Sequence, residues 1–178
     1  MSILSRVAVV LALTLTIAGC GHDDSDEAKF RPACPSLSLL GDAGDVVRYN
    51  GAGRDVTDLQ LNGRILAVPA TCKPGDKGFV LTTMKVRMSL LRGPAAPSRQ
   101  ATVTYFVSVT QGDKVLDQQD YPITVSFPPN VDRVGIEGEE ITLKFPVTPK
   151  KPASDYQIYV GYRLTPDELA TNRQKKPL

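Results

Sequence analysis

The residues from Phe79 to Leu90 alternate between two kinds of side chain without a break. Successive side chains of an extended strand point to opposite faces of a sheet, so the alternation separates an apolar face from a polar one. The polar face carries Thr83, Lys85 and Arg87. The apolar face carries Val80, Thr82, Met84, Val86, Met88 and Leu90. A period of two with one polar face predicts a strand of an antiparallel sheet that covers a core.

A hairpin is predicted from Ala101 to Phe127. The two strands, 101–110 and 114–127, are separated by a turn at Gly112-Asp113. Pro122 has no backbone N–H, so the second strand is expected at a sheet edge or with a bulge. The side chains expected to face the core are Val103, Tyr105, Val107, Val109, Ile123, Val125 and Phe127.

Shorter runs of the same kind predict the other strands, which are 36–40, 46–47, 59–71, 140–147 and 156–164. The run 59–71 is interpreted as one long strand with irregularities at Gly63 and Pro69. With 14 glycines and 14 prolines between these runs, we expect an all-β fold, an antiparallel immunoglobulin/fibronectin-III-like β-sandwich of about seven strands. A small barrel is the alternative.

A short C-terminal helix is predicted after the last strand. Thr165 is the expected N-cap, Pro166 occupies the first helical position, and Glu168 completes a capping box. About two turns should follow, ending in a basic tail with Arg173, Lys175 and Lys176.

The N-terminus has the features of a secretory signal. Arg6 precedes an uncharged run from Val7 to Ile17, which is shorter than the roughly 20 residues of a membrane span. Ile17-Ala18-Gly19-Cys20 matches the pattern at which bacterial lipoproteins are cleaved and acylated on cysteine. We therefore expect residues 1–19 to be a signal peptide and Cys20 to carry the lipid anchor. Acyl chains on the thiol and on the amino group of Cys20 would together give stable attachment to the membrane. The alternatives are an ordinary signal peptide cut near Ala18 and a buried apolar helix.

Residues 20–33 are polar, acidic and aperiodic, and they predict a flexible stalk between the lipid and a single domain of residues 34–178. The acidic cluster at 23–27 lacks the spaced ligands and the turn glycine of a calcium loop. Gly21 after the lipidated cysteine resembles the pattern of lipoproteins that are sorted onward, so the expected location is the periplasmic face of the outer membrane.

Three cysteines are present. With Cys20 assigned to lipid, Cys34 and Cys72 remain as the expected disulfide. In the loop-entropy model, closing this loop would stabilise the fold by about 4 kcal/mol. Two reduced buried thiols are the alternative, which an oxidising compartment disfavours.

The composition argues against several functions. The one histidine, His22, lies in the stalk, which leaves no histidine base or ligand in the domain. Without the signal segment, 20 basic residues face 19 acidic ones, so no attraction to nucleic acid is expected. A carboxylate pair that uses Glu139-Glu140, Asp55 or Asp58 is the remaining catalytic alternative. We expect a non-enzymatic protein without catalytic residues, metal site or cofactor.

Several segments together resemble an uncharacterised family of small proteobacterial lipoproteins with an immunoglobulin-like domain. They are Cys34-Pro35, residues 54–58, Cys72, Tyr105-Phe106, residues 156–162, residues 164–170 and Asn172-Arg173. Thr171 departs from the aromatic residue expected there. The resemblance implies the anchor and the fold, and it adds no mechanism.

We therefore expect an interaction or assembly module in the cell envelope, attached to the membrane through Cys20 and binding an envelope protein, with its oligomeric state left open. The candidate partner-contact residues are Tyr159, Arg163, Glu168 and Arg173. The alternative is a binding protein for a small apolar or sugar ligand, with Tyr105, Tyr156, Tyr159 and Tyr162 as walls. A deep pocket would favour the ligand, whereas a filled core with an exposed edge would favour assembly.

Overall fold

The computed structural model describes residues 33–76 and 78–174. The predicted signal peptide, Cys20 and the stalk up to residue 32 lie outside these described residues, as do Lys175 and Lys176 of the tail. The described chain contains eleven strands and one α-helix. The first strands are β1 (Ser36–Leu39), β2 (Asp45–Tyr49), β3 (Leu59–Ala67), β4 (Ala70–Pro74), β5 (Phe79–Met84) and β6 (Arg87–Arg92). They are followed by β7 (Gln100–Gln111), β8 (Lys114–Ser126), β9 (Arg133–Glu137), β10 (Ile141–Pro146), β11 (Tyr156–Tyr162) and helix α1 (Pro166–Gln174).

The strands form three sheets. Sheet A has the order β1-β11-β7-β8, sheet B has β2-β3-β6-β9, and sheet C has β4-β5-β10. Strand β1 runs parallel to β11, and every other pair in the described chain is antiparallel. The chain passes between sheets B and C three times, from β3 to β4, from β5 to β6 and from β9 to β10. The all-β class is confirmed.

Two predicted strands are each divided by such a passage. The run 79–90 is not one strand, because the chain leaves sheet C after Met84 and enters sheet B at Arg87. The alternation still continues across the break, and Val86 is completely buried there. The run 59–71 likewise divides into β3 and β4 around Val68-Pro69. The predicted inward face of 79–90 is correct, although both predicted strands are too long.

One hydrophobic core connects the three sheets. Sheet A contributes Tyr105 and Ile158, sheet B contributes Leu90, and sheet C contributes Val80, all in one continuous cluster. The predicted inward set of the hairpin is confirmed, except that Ile123 is half-buried. The remaining buried apolar members from these strands are Val46, Leu61, Ile65, Met84, Met88, Val103, Val107, Val109, Val125, Ile141, Phe145, Tyr156, Val160 and Tyr162.

The predicted disulfide is confirmed. Cys34 is bonded to Cys72, and their Cα atoms lie 6.0 Å apart. Cys34 lies just before β1, an edge strand of sheet A, while Cys72 lies in β4, an edge strand of sheet C. The bond therefore joins two sheets at the side of the fold where both end.

Helix α1 is confirmed with its capping box. The backbone N–H of Glu168 donates to Thr165 Oγ1 at 3.2 Å, and the N–H of Thr165 donates to Glu168 Oε2 at 2.7 Å. The helix covers β2, the edge strand of sheet B, where the Asn172 side chain donates to the carbonyls of Asp42 at 2.9 Å and Asp45 at 2.7 Å. This edge is therefore shielded from pairing with another strand.

Candidate interaction surface

A lateral cleft lies between β8, the outer strand of sheet A, and β10, the outer strand of sheet C. Each strand pairs with a single neighbour in its sheet. The larger part of the cleft has a volume of about 440 Å³. Its apolar lining includes Leu116 from β8, Ile141, Leu143 and Phe145 from β10, and Tyr156 from β11. At this side of the fold, sheets A and C do not cover each other completely.

Tyr121 of β8 separates this volume from a second depression of about 230 Å³, which we call the tyrosine pocket. The tyrosine pocket is lined by Tyr105, Gln119, Tyr121, Ile123 and Glu139, with Asp120 and Pro122 at the strand. The rings of Tyr105 and Tyr121 are stacked, with centroids 5.1 Å apart and planes inclined by 13°. The aromatic ring of Tyr121 thus belongs to the wall of both hollows.

The hydroxyl of Tyr105 is buried and has no hydrogen-bond partner among the described residues. Gly138 lies so close that a Cβ added there would be 2.6 Å from this oxygen. Burial, with smaller effects from the charge of Glu139 and from Tyr121, raises the pKa of Tyr105 to about 12. Burial also raises the pKa of Tyr121. Both phenols are therefore neutral at physiological pH.

The outward backbone row of β8 is interrupted. Phe127 N–H donates to the Arg99 carbonyl at 2.7 Å, and from that pair the antiparallel alternation directs the backbone groups of Gln118, Asp120 and Pro122 away from β7. The N–H of Gln118 is taken by Asp117 Oδ1 at 2.8 Å. Pro122, which has no N–H, lies in the edge strand β8, so its predicted position at a sheet edge is confirmed. Pairing along β8 is therefore interrupted at Gln118 and Pro122, while the backbone groups of Asp120 and Thr124 still face outward.

The edge of β10 is more open. The Val147 N–H donates to the Gly78 carbonyl at 2.8 Å, so the alternation directs the backbone groups of Thr142 and Lys144 away from β5. Pro146 also faces outward, and its carbonyl accepts a hydrogen bond from the Tyr156 hydroxyl at 2.8 Å. Among the described residues, Thr142 and Lys144 leave two N–H and two C=O groups available at the cleft.

The larger hollow has charge at its rim and apolar side chains in its interior. Lys144 Nζ lies 4.1 Å from the ring centroid of Phe79, and Lys151 Nζ lies 4.9 Å from that of Tyr156. Asp117 lines the opposite wall. A guest would therefore contact an apolar interior between one acidic and two basic rim residues.

Two of the candidate partner-contact residues lie on the outer face of sheet A. Tyr159 is half-exposed, and its hydroxyl donates to Gln157 Oε1 at 2.6 Å. Arg163 forms a bidentate ion pair with Asp120, Nε to Oδ2 measuring 3.0 Å, and its guanidinium carbon lies 5.1 Å from the ring centroid of Phe106. The structure brings these residues to one face of sheet A, and their role in partner contact stays a prediction.

The other two candidates are on α1. Glu168 is only 8% exposed. One of its carboxylate oxygens accepts the Thr165 N–H, and the other accepts Arg48 Nε at 2.8 Å. Arg173 is exposed and pairs with Asp42 at 2.9 Å. Both side chains hold the helix to its own domain, and a partner contact by either one stays a prediction.

A third hollow, of about 350 Å³, lies between α1 and β2. Arg48 lines it and also donates to the Thr102 carbonyl of β7 at 2.6 Å. Arg54, on another wall, lies 5.2 Å from the ring centroid of Tyr49. The carboxylate of Glu168 already balances Arg48, and most of the residues that line this hollow are polar or charged.

The sequence analysis did not single out Tyr121 as a site residue, and it considered Glu139 only in a carboxylate pair with Glu140. Extending the period-two face of the hairpin back from Ile123 places Tyr121 inward, opposite Tyr105, and this signal could have identified it. For Glu139 no local signal exists, because its position depends on how sheet C packs against sheet A.

Among the described residues, no cluster of histidine, cysteine and carboxylate side chains could hold a metal ion. No helix in residues 33–76 and 78–174 is long and apolar enough to span a bilayer. Comparison with protein-family models, with curated proteins and with solved structures finds no match to this chain.

Proposed function

We propose that this protein is a membrane-anchored bacterial lipoprotein that acts without catalysis, as an interaction or assembly module of the cell envelope. In this proposal Cys20 carries the lipid, residues 20–33 provide reach, and the lateral cleft binds a partner protein. The Cys34–Cys72 disulfide supports an oxidising compartment such as the periplasm. The residues Ile17-Ala18-Gly19-Cys20 support the anchor.

The observation that carries the proposal is the combination of a filled core with one open side. The tyrosines considered as ligand walls, Tyr105, Tyr156 and Tyr162, are buried in the common core. In the lateral cleft, in contrast, Leu116 of β8 is 43% exposed and Leu143 of β10 is partly exposed, beside the buried Ile141 and Phe145. A protein segment is the guest that uses both the apolar interior and the backbone groups at its edge.

Strand addition to β10 is the binding mode that fits these groups best. An extended segment can pair with the outward N–H and C=O groups of Thr142 and Lys144 while its alternate side chains enter the cleft. The occupied N–H of Gln118 and the missing N–H of Pro122 make β8 the less suitable wall for pairing. Its apolar residue Leu116 would then contact the side chains of the guest rather than its backbone.

The immunoglobulin/fibronectin-III-like classification belongs to the same proposal. It is supported by mainly antiparallel sheets around one core and by the parallel pairing of the first strand with the last. The proposed membership of the proteobacterial lipoprotein family and the proposed location at the periplasmic face of the outer membrane rest on the sequence patterns given above.

Site-specific photo-crosslinking in intact cells tests the function. A photoreactive amino acid at Leu143, inside the cleft, should capture a defined envelope protein. The same group at Val56, which is 77% exposed and outside the cleft, should not. Replacing Cys20 by Ser in the Leu143 chain should reduce capture if the anchor brings the partners together. Equal capture from both positions, or none from Leu143, would contradict the proposal.

A small apolar or sugar ligand is the second candidate, favoured by the volume of about 440 Å³ and by the aromatic side chains Phe145 and Tyr156 in its wall. Competition separates the two possibilities. If a small molecule is the natural guest, saturating it should stabilise the purified full chain against heat without any envelope protein, and a Leu143→Asp variant should lose that stabilisation.

A further inference from the structure

We infer that the protein forms a two-fold symmetric dimer in which strand β9 pairs with β9 of a second copy of the same chain. The contact uses an edge of sheet B, and none of the residues of β9 lines the lateral cleft. The dimer therefore goes beyond the proposed function and does not depend on it.

Strand β9 is a sheet edge without the features that usually prevent pairing. It contains no proline, its register with β6 has no bulge, and β6 is the only described strand that pairs with it. The N–H of Gly138 donates to the Val86 carbonyl at 2.8 Å, so the antiparallel alternation directs the backbone groups of Arg133, Gly135 and Glu137 away from β6. Within the described part of the chain, three N–H and three C=O groups are available in one uninterrupted row.

The other edge of sheet B is closed. Strand β2 is covered by α1, whose Asn172 side chain donates to the carbonyls of Asp42 and Asp45. A second copy can therefore extend sheet B at β9 and not at β2.

The sequence of β9, Arg133-Val134-Gly135-Ile136-Glu137, complements itself when it is read in the opposite direction. An antiparallel pair centred on Gly135 places Arg133 opposite Glu137 of the second copy, and Val134 opposite Ile136. In this register the residues that face each other across the contact with outward backbone groups are Arg133, Gly135 and Glu137, which form six interchain hydrogen bonds. The two-fold axis repeats each side-chain contact once.

The signs of the charges favour self-pairing over a protected edge. Charged side chains often protect an edge strand, and like charges directly opposite each other destabilise a strand pair. In the proposed register unlike charges are opposite. Arg133 forms no ion pair with any described residue, and its Nη1 donates to Ser89 Oγ at 3.3 Å. Glu137 pairs with Arg87 and Lys85 and keeps acceptor capacity for a further donor.

Gly135 provides support that is independent of charge. A Cβ added at this residue would meet no atom within 4 Å, and its φ is not positive. No contact or turn among the described residues therefore requires glycine here. Glycine within a strand often marks the close approach of another backbone, and the two-fold axis passes through this position. Val134 and Ile136 point inward but are only half-buried, so the added strand would cover them.

Cysteine crosslinking of the full chain in intact cells, with copper phenanthroline as the oxidant, tests the contact. Gly135→Cys places two thiols at the axis, where the Cα atoms of a hydrogen-bonded pair lie about 5.5 Å apart and a disulfide can form. Arg133→Cys is the matched control, since its two copies lie about 14 Å apart along the strands. Non-reducing electrophoresis should show a dimer for Gly135→Cys and a monomer for Arg133→Cys. Equal crosslinking of both variants, or none for Gly135→Cys, would overturn the inference.

Coexpression of two variants tests the register. Arg133→Cys in one chain and Glu137→Cys in the other face each other in the proposed dimer, so the mixture should give a crosslinked dimer that neither variant gives alone. Crosslinking of Glu137→Cys with itself would require another register and would reject the proposed pairing.

A proline substitution tests the backbone hydrogen bonds. Gly135→Pro removes the N–H at the axis, whereas Gly135→Ala keeps it. Proline is tolerated where an edge strand directs its N–H outward, so both variants should melt at temperatures close to that of the parent chain. In sedimentation of the purified full chain in detergent, Gly135→Pro should weaken the dimer at least tenfold, and Gly135→Ala should change it less than twofold. A folded Gly135→Pro variant that still dimerises would overturn the inference.

A charge reversal tests the two ion pairs. Arg133→Glu should weaken the dimer about tenfold, because two attractions across the strands become two repulsions. Arg64→Glu makes the same change of charge in β3, where the parent residue pairs with Asp45, and it should leave the dissociation constant unchanged. Equal weakening by both variants would mean that net charge alone governs association and would overturn the assigned contact. Crosslinking from Leu143 reports on the lateral cleft, so the dimer and the proposed function succeed or fail separately.

Discussion

Sheets A and C end together at two sides of the molecule, and the two sides are treated in opposite ways. At one side the edge strands β1 and β4 are joined by the Cys34–Cys72 bond. At the other side the edge strands β8 and β10 border the lateral cleft. The chain thus fixes the distance between its layers at one side, and it leaves apolar surface and backbone groups available at the other. If the lateral cleft binds a partner as proposed, the stability of the domain and its binding surface are located at different edges.

Removing the disulfide tests the closed side and should have the largest effect. A Cys34→Ala, Cys72→Ala double variant releases a loop with a sequence separation of 38. The free energy of unfolding should fall by about 4 kcal/mol in the loop-entropy model. Urea denaturation of the oxidised protein and of the variant measures the difference. An unchanged midpoint would mean that the bond is not what holds this side together.

The helix provides a second, non-covalent closure at the edge of sheet B, and Glu168→Ala tests it. The change removes half of the capping box and leaves Arg48 without its carboxylate. We expect a loss of about 2 kcal/mol, since both a cap and a largely buried ion pair are lost. Arg173→Ala breaks an exposed pair on the same helix and is the matched control. Similar losses for the two variants would contradict the assigned importance of Glu168.

Alkaline titration tests the open side through Tyr105, which lines the tyrosine pocket. The folded protein holds the pKa of Tyr105 at about 12, above its ordinary value of 10.0. The stability contributed by the neutral phenol is therefore fully present below pH 10 and is lost as the pH rises toward 12. Denaturation curves measured across this range should show a smaller loss for Tyr105→Phe. Tyr159→Phe, which removes a hydroxyl from the outer face, is the control, and identical curves for wild type and Tyr105→Phe would refute the prediction.

The smallest effect on stability is expected within the cleft itself. Leu116 is 43% exposed, so Leu116→Lys should change the free energy of unfolding by no more than about 0.5 kcal/mol. It should nevertheless abolish capture of the partner from Leu143, because it places a charge in the apolar interior. A variant that unfolds more easily, or that still captures the partner, would remove the distinction between a stabilising side and a binding side.

Local patterns predicted the local parts of this fold. The hairpin of β7 and β8 needs only alternation and a Gly-Asp turn, and the capping box needs four consecutive residues. The pairing of Cys34 with Cys72 was predicted from the oxidising compartment and from the two cysteines that remain after Cys20 is assigned to lipid. Strand β9 was missed because it is short, contains Gly135 and has only Val134 and Ile136, both half-buried, as apolar signals.

The sheets themselves and the cleft could not be predicted in the same way. Alternation through Lys85-Val86 is the same whether the strand continues in one sheet or passes into another, because the inward face does not change. The lateral cleft depends on which strands are last in sheets A and C, and that depends on pairing between residues far apart in sequence. Tyr121 could be inferred to point inward, but its position between two hollows requires β10 as a neighbour.

The position of Cys34 also determines how a mechanical load enters the domain. Cys34 precedes the first strand and is covalently bonded to β4. Any tension applied to the chain ahead of residue 34 therefore divides at this residue, and part of it passes through the sulfur bridge into sheet C. Under such a pull, the bond to β4 carries part of the force that would otherwise separate β1 from β11. The domain can therefore be held by its N-terminal end while the pairing of β1 in sheet A is kept.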